Sequence, residues 1–163
     1  GLNLGLHYLQ GALTFEAAVN TCDPYLASKI VWFDAFITNV DRTFRNTNLL
    51  IWHKELWLID NGASFYFHHS WDNWEQSAKT NFPFIKDHVL LPFATELDRV
   101  HAEFTTMLNP EILKVIVEQI PAEWLDWEGS GLTPEDIKYV YTKFLSIRLE
   151  NATNFLEHAK NAR

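Results

Sequence analysis

The chain has 163 residues, 47% of them hydrophobic, which supplies one buried core and at this length favours a single domain spanning 1–163. Thirteen Lys and Arg against twenty-one Asp and Glu leave a formal charge of −8, which opposes binding to a nucleic-acid backbone. Cys22 is the only cysteine, so an internal disulfide is excluded and a reducing cytoplasm is the expected setting; no apolar run of about 18 residues and no basic leader points to a membrane span or a signal peptide.

The segment up to Cys22 reads as irregular and carries Gly1, Gly5 and Gly11 without forming G-x-G-x-x-G or G-x-x-x-x-G-K-[ST]. Asp23-Pro24 then opens a helix, with a cap residue followed by a proline in the first turn. Tyr25, Ile30, Trp32, Phe33, Phe36 and Ile37 make that helix apolar around most of its circumference, as in a buried central helix. Asp34 is the exception and is read as paired or exposed rather than catalytic.

The helix feeds the most informative segment, Thr38 to Phe65. Asp41-Arg42-Thr43-Phe44-Arg45-Asn46 is a D-x-x-x-x-N loop. Asn48–Trp52 and Glu55–Ile59 are short apolar runs separated by His53-Lys54, which predicts a β-hairpin, with Asp60 at its exit and Asn61-Gly62 as a turn. Paired strands lie about 4.8 Å apart, so the hairpin is expected to make Asn46 and Asp60 neighbours. Phosphoryl transfer needs one carboxylate to orient the attacking hydroxyl, and an amide and a second carboxylate to hold Mg²⁺ against the ATP phosphates. Arg42 and Arg45 flank this triad as cations suited either to phosphate charge or to a salt bridge within the loop.

Ser64 to Trp74 is rich in aromatic residues and carries His68 and His69, which on an extended segment point to opposite faces and do not chelate one metal together. With no H-E-x-x-H and no C-x-x-C, a zinc site has no sequence support. The rest reads as helical scaffold: Ala94–Met107, a short helix from Pro110 to Ile120, the Gly129-Ser130-Gly131 loop, and one long helix from the Thr133-Pro134-Glu135-Asp136 cap to about residue 160. Asn151-Ala152-Thr153 matches a glycosylation sequon but falls inside that helical pattern.

The run N-x-D-R-x-x-x-N from Asn39 to Asn46, followed by a hairpin and Ile59-Asp60-Asn61-Gly62, resembles the C-terminal lobe of HipA-like kinases. It is also similar to phosphatidylinositol 3- and 4-kinases, which share that lobe design. The resemblance implies a mainly α (α+β) fold, the helical C-terminal lobe of a protein-kinase-like architecture with one small β-hairpin carrying a metal-binding Asp. It further implies that Asp41 is the catalytic carboxylate and that Asn46 and Asp60 are Mg²⁺ ligands. The cofactors would be Mg²⁺ and ATP, and the acceptor a Ser or Thr hydroxyl of a protein. A phosphoinositide headgroup is the alternative acceptor, and a non-catalytic kinase-derived binding module the alternative role. Because no lysine precedes Lys29, the N-terminal nucleotide-covering lobe is expected to be absent from this chain, which alone would be inactive.

Overall fold

The structure is a computed structural model that describes residues 3–5, 7–125 and 131–163, so Gly1, Gly129 and Ser130 lie outside the described residues. The fold is mainly helical with a small antiparallel sheet. Helix α1 (Pro24–Phe36) starts as its sequence predicts: Asp23 Oδ1 accepts the Leu26 N–H at 2.9 Å, and Pro24 occupies the first turn, where no N–H is needed. It is buried over most of its surface, although Phe33 stays 42% exposed.

Trp32 anchors the core. Its ring lies 5.3 Å from Phe36, 5.1 Å from Phe104 and 5.3 Å from Phe155, and its indole N–H donates to His101 Nδ1 at 3.2 Å. These contacts draw α3 (Leu97–Met107) and α6 (Ala152–Ala162) onto α1. Truncating so large a buried ring to alanine costs about 3–5 kcal/mol in comparable cores.

Strands β2 (Leu49–Trp52) and β3 (Glu55–Leu58) form the expected hairpin, with Leu49 opposite Leu58 and Trp52 opposite Glu55. Its turn residues, His53 at φ 50° and Lys54 at φ 69°, both occupy the left-handed region, the type I′ pattern that matches strand twist. His-Lys is not the usual sequence for that turn, so strand pairing rather than turn preference holds it. The segment before α1 departs from expectation: Leu13–Thr14 forms a short strand, β1, antiparallel to β2, and the Phe15 N–H continues the ladder to Leu49 O at 3.0 Å. Both strand residues are exposed, so no apolar alternation marks them in the sequence.

Further corrections follow the hairpin. Tyr66–His69 and Trp71–Asn73 are single 3₁₀ turns leading into α2 (Trp74–Ala78), not an extended segment. Phe67 is buried 4.5 Å from Phe144, while His68 stacks on Trp71 at 5.2 Å and on Tyr141 at 5.5 Å. Aromatic packing sets the backbone here. Helix α4 (Pro110–Glu118) is capped by Asn109, and α5 (Pro134–Glu150) by a reciprocal box in which Thr133 Oγ1 accepts the Asp136 N–H and Asp136 Oδ2 accepts the Thr133 N–H.

The single long C-terminal helix is in fact two, α5 and α6, meeting at Asn151 (φ −105°, ψ 19°). The Asn151 side chain donates to Ile147 O at 2.8 Å, a local bond that competes with the helical ladder. Just before the break, Arg148 is fully buried and donates to Ala35 O, Ala78 O and Thr80 O, with its guanidinium 4.8 Å from the Phe155 ring. It thus satisfies carbonyls left over at the ends of α1 and α2. Burial pushes this guanidinium down to about 9. No helix among the described residues is long and apolar enough to cross a membrane.

Candidate active site

The chain leaves α1 through Thr38, at φ 54°, and is fixed there from two sides. The Tyr66 N–H donates to Thr38 Oγ1 at 3.0 Å, and the Phe65 N–H to Ile37 O at 2.7 Å. The segment after the hairpin is thereby held against the root of the loop that carries Asp41.

Asp34 is the buried centre of this arrangement, with no exposed surface. Its carboxylate accepts from Arg42 Nε at 2.6 Å, His88 Nε2 at 2.9 Å and Asn39 Nδ2 at 3.1 Å. His88 Nδ1 accepts the Leu90 N–H at 3.0 Å, which puts the ring proton on Nε2, facing Asp34. Burial by itself pushes the Asp34 carboxyl up, but the His88 hydrogen bond and the Arg42 ion pair outweigh it and hold the group below the usual carboxylate range. Of the two settings the sequence left open for Asp34, exposed or paired, the structure shows the paired one.

Arg42 resolves the choice open in the sequence. It is 1% exposed and uses its guanidinium as a clamp: Nε on Asp34, one terminal nitrogen on Asn48 O and on Ile59 O at 3.4 Å, the other on Asn61 Oδ1 at 2.7 Å. A planar fork of donors is what lets one side chain tie the loop to both ends of the hairpin. With every one of its nitrogens engaged inside the protein, Arg42 takes the salt-bridge role and has none left for a phosphate.

Above this clamp, Asp41 is half-buried, and its N–H donates to Asn39 Oδ1 at 3.2 Å. Asp41 Oδ2 accepts from Asn46 Nδ2 at 2.8 Å and from Asn48 Nδ2 at 3.1 Å. Asn48 donates also to Asp41 O at 3.1 Å, so it fixes both the backbone and the carboxylate of that residue. The loop closes on itself through Thr43 N–H to Asn46 O at 2.9 Å and Asn46 N–H to Thr43 Oγ1 at 3.3 Å. Asn46 spends its amide nitrogen on Asp41, which leaves its oxygen as an acceptor.

Asp60 stands at the hairpin's open end, one residue past the Ile59 N–H to Asn48 O bond of 3.0 Å. It is exposed at φ 48°, a strained conformation that Asp tolerates better than most residues. Its Oδ1 accepts the Gly62 N–H at 3.2 Å, and a Cβ at position 62 would meet that same oxygen at 3.2 Å, so glycine lets the carboxylate fold back over the turn. The structure therefore joins Asp41 to Asn46 directly, while Asp60 is tied to them through the hairpin and the Arg42 clamp. An open cavity of about 650 Å³ lies beside the loop, between Asn46–Asn48 and Ile59 on one wall and Phe15–Ala18 on the other.

Two residues of this site were not singled out from the sequence. Asn48 follows Asn46 so closely that a second loop amide was there to be read. His88 carried no signal, because its partner Asp34 lies on a distant helix and only folding brings them together.

A family model described as HipA-like kinase matches residues 7–154, a span that takes in the sheet, the loop and all of α5. Neither the curated proteins nor the solved structures return a match.

Proposed function

This chain belongs to the HipA-like kinase family, and we propose that it acts in the ATP-dependent transfer of a phosphoryl group to a protein Ser or Thr hydroxyl, with Asp41 as the catalytic carboxylate and Asn46 and Asp60 as Mg²⁺ ligands. The observation that supports this best is the pair of amides on one oxygen: Asn46 and Asn48 both donate to Asp41 Oδ2, which orients that carboxylate on a loop locked by the buried Arg42. Asp41 accepts the proton of the acceptor hydroxyl as the new P–O bond forms, and the bond from the γ-phosphorus to the bridging oxygen breaks with its electrons leaving on ADP. The donor set fits a hard cation: the free oxygen of Asn46 and the exposed carboxylate of Asp60 are the ligand types Mg²⁺ takes together with phosphate oxygens. When bound there, Mg²⁺ supplies positive charge against the β- and γ-phosphates.

The test is made on the full-length gene product with ATP and Mg²⁺. Asp41→Asn keeps the loop's hydrogen-bonding shape, so nucleotide binding persists while phosphoryl transfer falls by at least about 10²-fold. Asp60→Asn loses Mg²⁺-dependent nucleotide binding as well as turnover. Turnover by Asp41→Asn equal to the parent's discards the assignment and leaves a non-catalytic binding module.

A further inference from the structure

A second recess, of about 610 Å³, opens where α1, α3, α4 and α5 meet the Asn61-Gly62 turn. Its floor is made of core side chains: Phe36 and Ile37 at the end of α1, Leu113 of α4 and Leu145 of α5 are all buried. Its rim is apolar and open to solvent, with Phe33 at 42%, Met107 at 63% and Ile116 at 51% exposure. Walls drawn from four helices make this a pit rather than a groove along one helix, a shape that takes a compact molecule and not a docked helix or strand. None of the described residues lining it is Lys, Arg, Asp or Glu, and its polar lining is Asn61, Ser64 and His68. Asn61 Oδ1 is already taken by Arg42 at 2.7 Å. Partial burial among aromatic rings, with His69 beside it, pushes the His68 imidazole below its ordinary value, so it is neutral at pH 7. Ser64 is left: its N–H donates to Asn61 O at 3.1 Å, but its Oγ is buried and has no hydrogen-bond partner among the described residues. Such a hydroxyl is unfavourable unless a partner is supplied, and here it lines a recess large enough for a molecule that supplies one.

We infer that this recess binds an uncharged, ring-bearing apolar molecule that carries one hydrogen-bonding group for Ser64 Oγ. The volume falls within the range of about 300–1,000 Å³ found for small-molecule sites, and a mostly apolar lining with a single free polar group is their usual composition. Rings suit it because Phe33, Phe36, Phe65 and Phe104 offer faces and edges, and the Met107 sulfur adds a polarizable contact. A charged ligand is disfavoured, since no ionised side chain lines the recess to pair with it once water is expelled. For the same reason a nucleoside triphosphate does not fit here. The site is therefore separate from the Asp41 loop and stands independently of the kinase reading.

The test titrates the full-length gene product with N-phenyl-1-naphthylamine, an uncharged two-ring dye that brightens in apolar surroundings and carries a single N–H. Its fluorescence should rise to saturation at one dye per chain. Ile116→Trp sets a larger ring across the rim at an exposed position, so it should weaken the dye by at least about 10-fold while circular dichroism and melting temperature match the parent's. Ser64→Ala removes the one free hydrogen-bonding group and should weaken the dye by about 2- to 10-fold. The same variant should leave unchanged the affinity of 1-benzylnaphthalene, the isostere with CH₂ in place of N–H, measured by displacement of the dye. Absence of a saturable rise, an Ile116→Trp affinity equal to the parent's, or a Ser64→Ala change that weakens neither compound or both equally overturns the inference. A parent dimer in sedimentation that Ile116→Trp dissociates also overturns it, and assigns the recess to a second copy of the chain. Phosphoryl transfer is not read in any of these measurements, so their failure leaves the kinase reading untouched.

Discussion

Replacing Arg42 with methionine should be among the most damaging single changes in this chain, and for a reason separate from catalysis. The substitution keeps an apolar stem but removes a guanidinium that is 1% exposed and bonded at every nitrogen. Asp34, with no exposed surface, would be left as a buried carboxylate facing only Asn39 and His88. Removing one partner of a buried ion pair costs about 3–5 kcal/mol, much of it the uncompensated charge rather than the lost attraction. Against a total stability of about 5–15 kcal/mol that is a large fraction. Equilibrium unfolding in urea, followed by tryptophan fluorescence, to which the buried Trp32 contributes, should show the midpoint lower by about 2 M at unchanged slope. The double variant Asp34→Asn/Arg42→Met should be less destabilised than the two single effects added together, because it leaves no unpaired charge behind. A loss below about 1 kcal/mol for Arg42→Met, or strict additivity in the cycle, would refute the clamp as the device that joins loop to hairpin.

Three further outcomes follow from the same geometry. The Asp34 carboxyl is held below its unfolded value of about 3.9, so the stability it contributes is present above roughly pH 4 and disappears as pH falls through the folded value; urea midpoints measured from pH 7 down to pH 2 should drop more steeply for the parent than for Asp34→Asn, and parallel curves would contradict this. His53→Asn with Lys54→Gly should raise stability by about 0.5–1 kcal/mol, because both residues occupy left-handed φ in a type I′ turn, offset in part by loss of the His53 ring from its place 4.2 Å from Trp52; a lower melting temperature would mean the ring contact outweighs the turn. Arg148→Met should destabilise by several kcal/mol, since Ala35 O, Ala78 O and Thr80 O lose their donor in the core at about 1–3 kcal/mol each, and a melting temperature within a degree or two of the parent's would show that water replaces it.

The sequence by itself determined what is local. Asp23-Pro24 and Thr133 to Asp136 carry their own capping chemistry, and the helices begin there because the side chains that satisfy the first N–H groups are adjacent in the chain. The hairpin itself was equally legible, because two short apolar runs flank two turn residues, but His53-Lys54 is not a favoured turn pair and left the register open by one residue until strand pairing set it. Asp41 and Asn46 were readable as partners for the same reason: five positions apart on a tight loop, they meet by geometry alone. What only the tertiary structure decided depends on residues far apart in the chain. Arg42 and Arg45 are alike in sequence, and their settings diverge because Asp34 and the carbonyl of Asn48 converge on one of them and not on the other. His88 enters the site, Leu13–Thr14 becomes a strand, and Arg148 is buried on backbone carbonyls, each because distant backbone or side-chain atoms supply a hydrogen bond that no local pattern encodes.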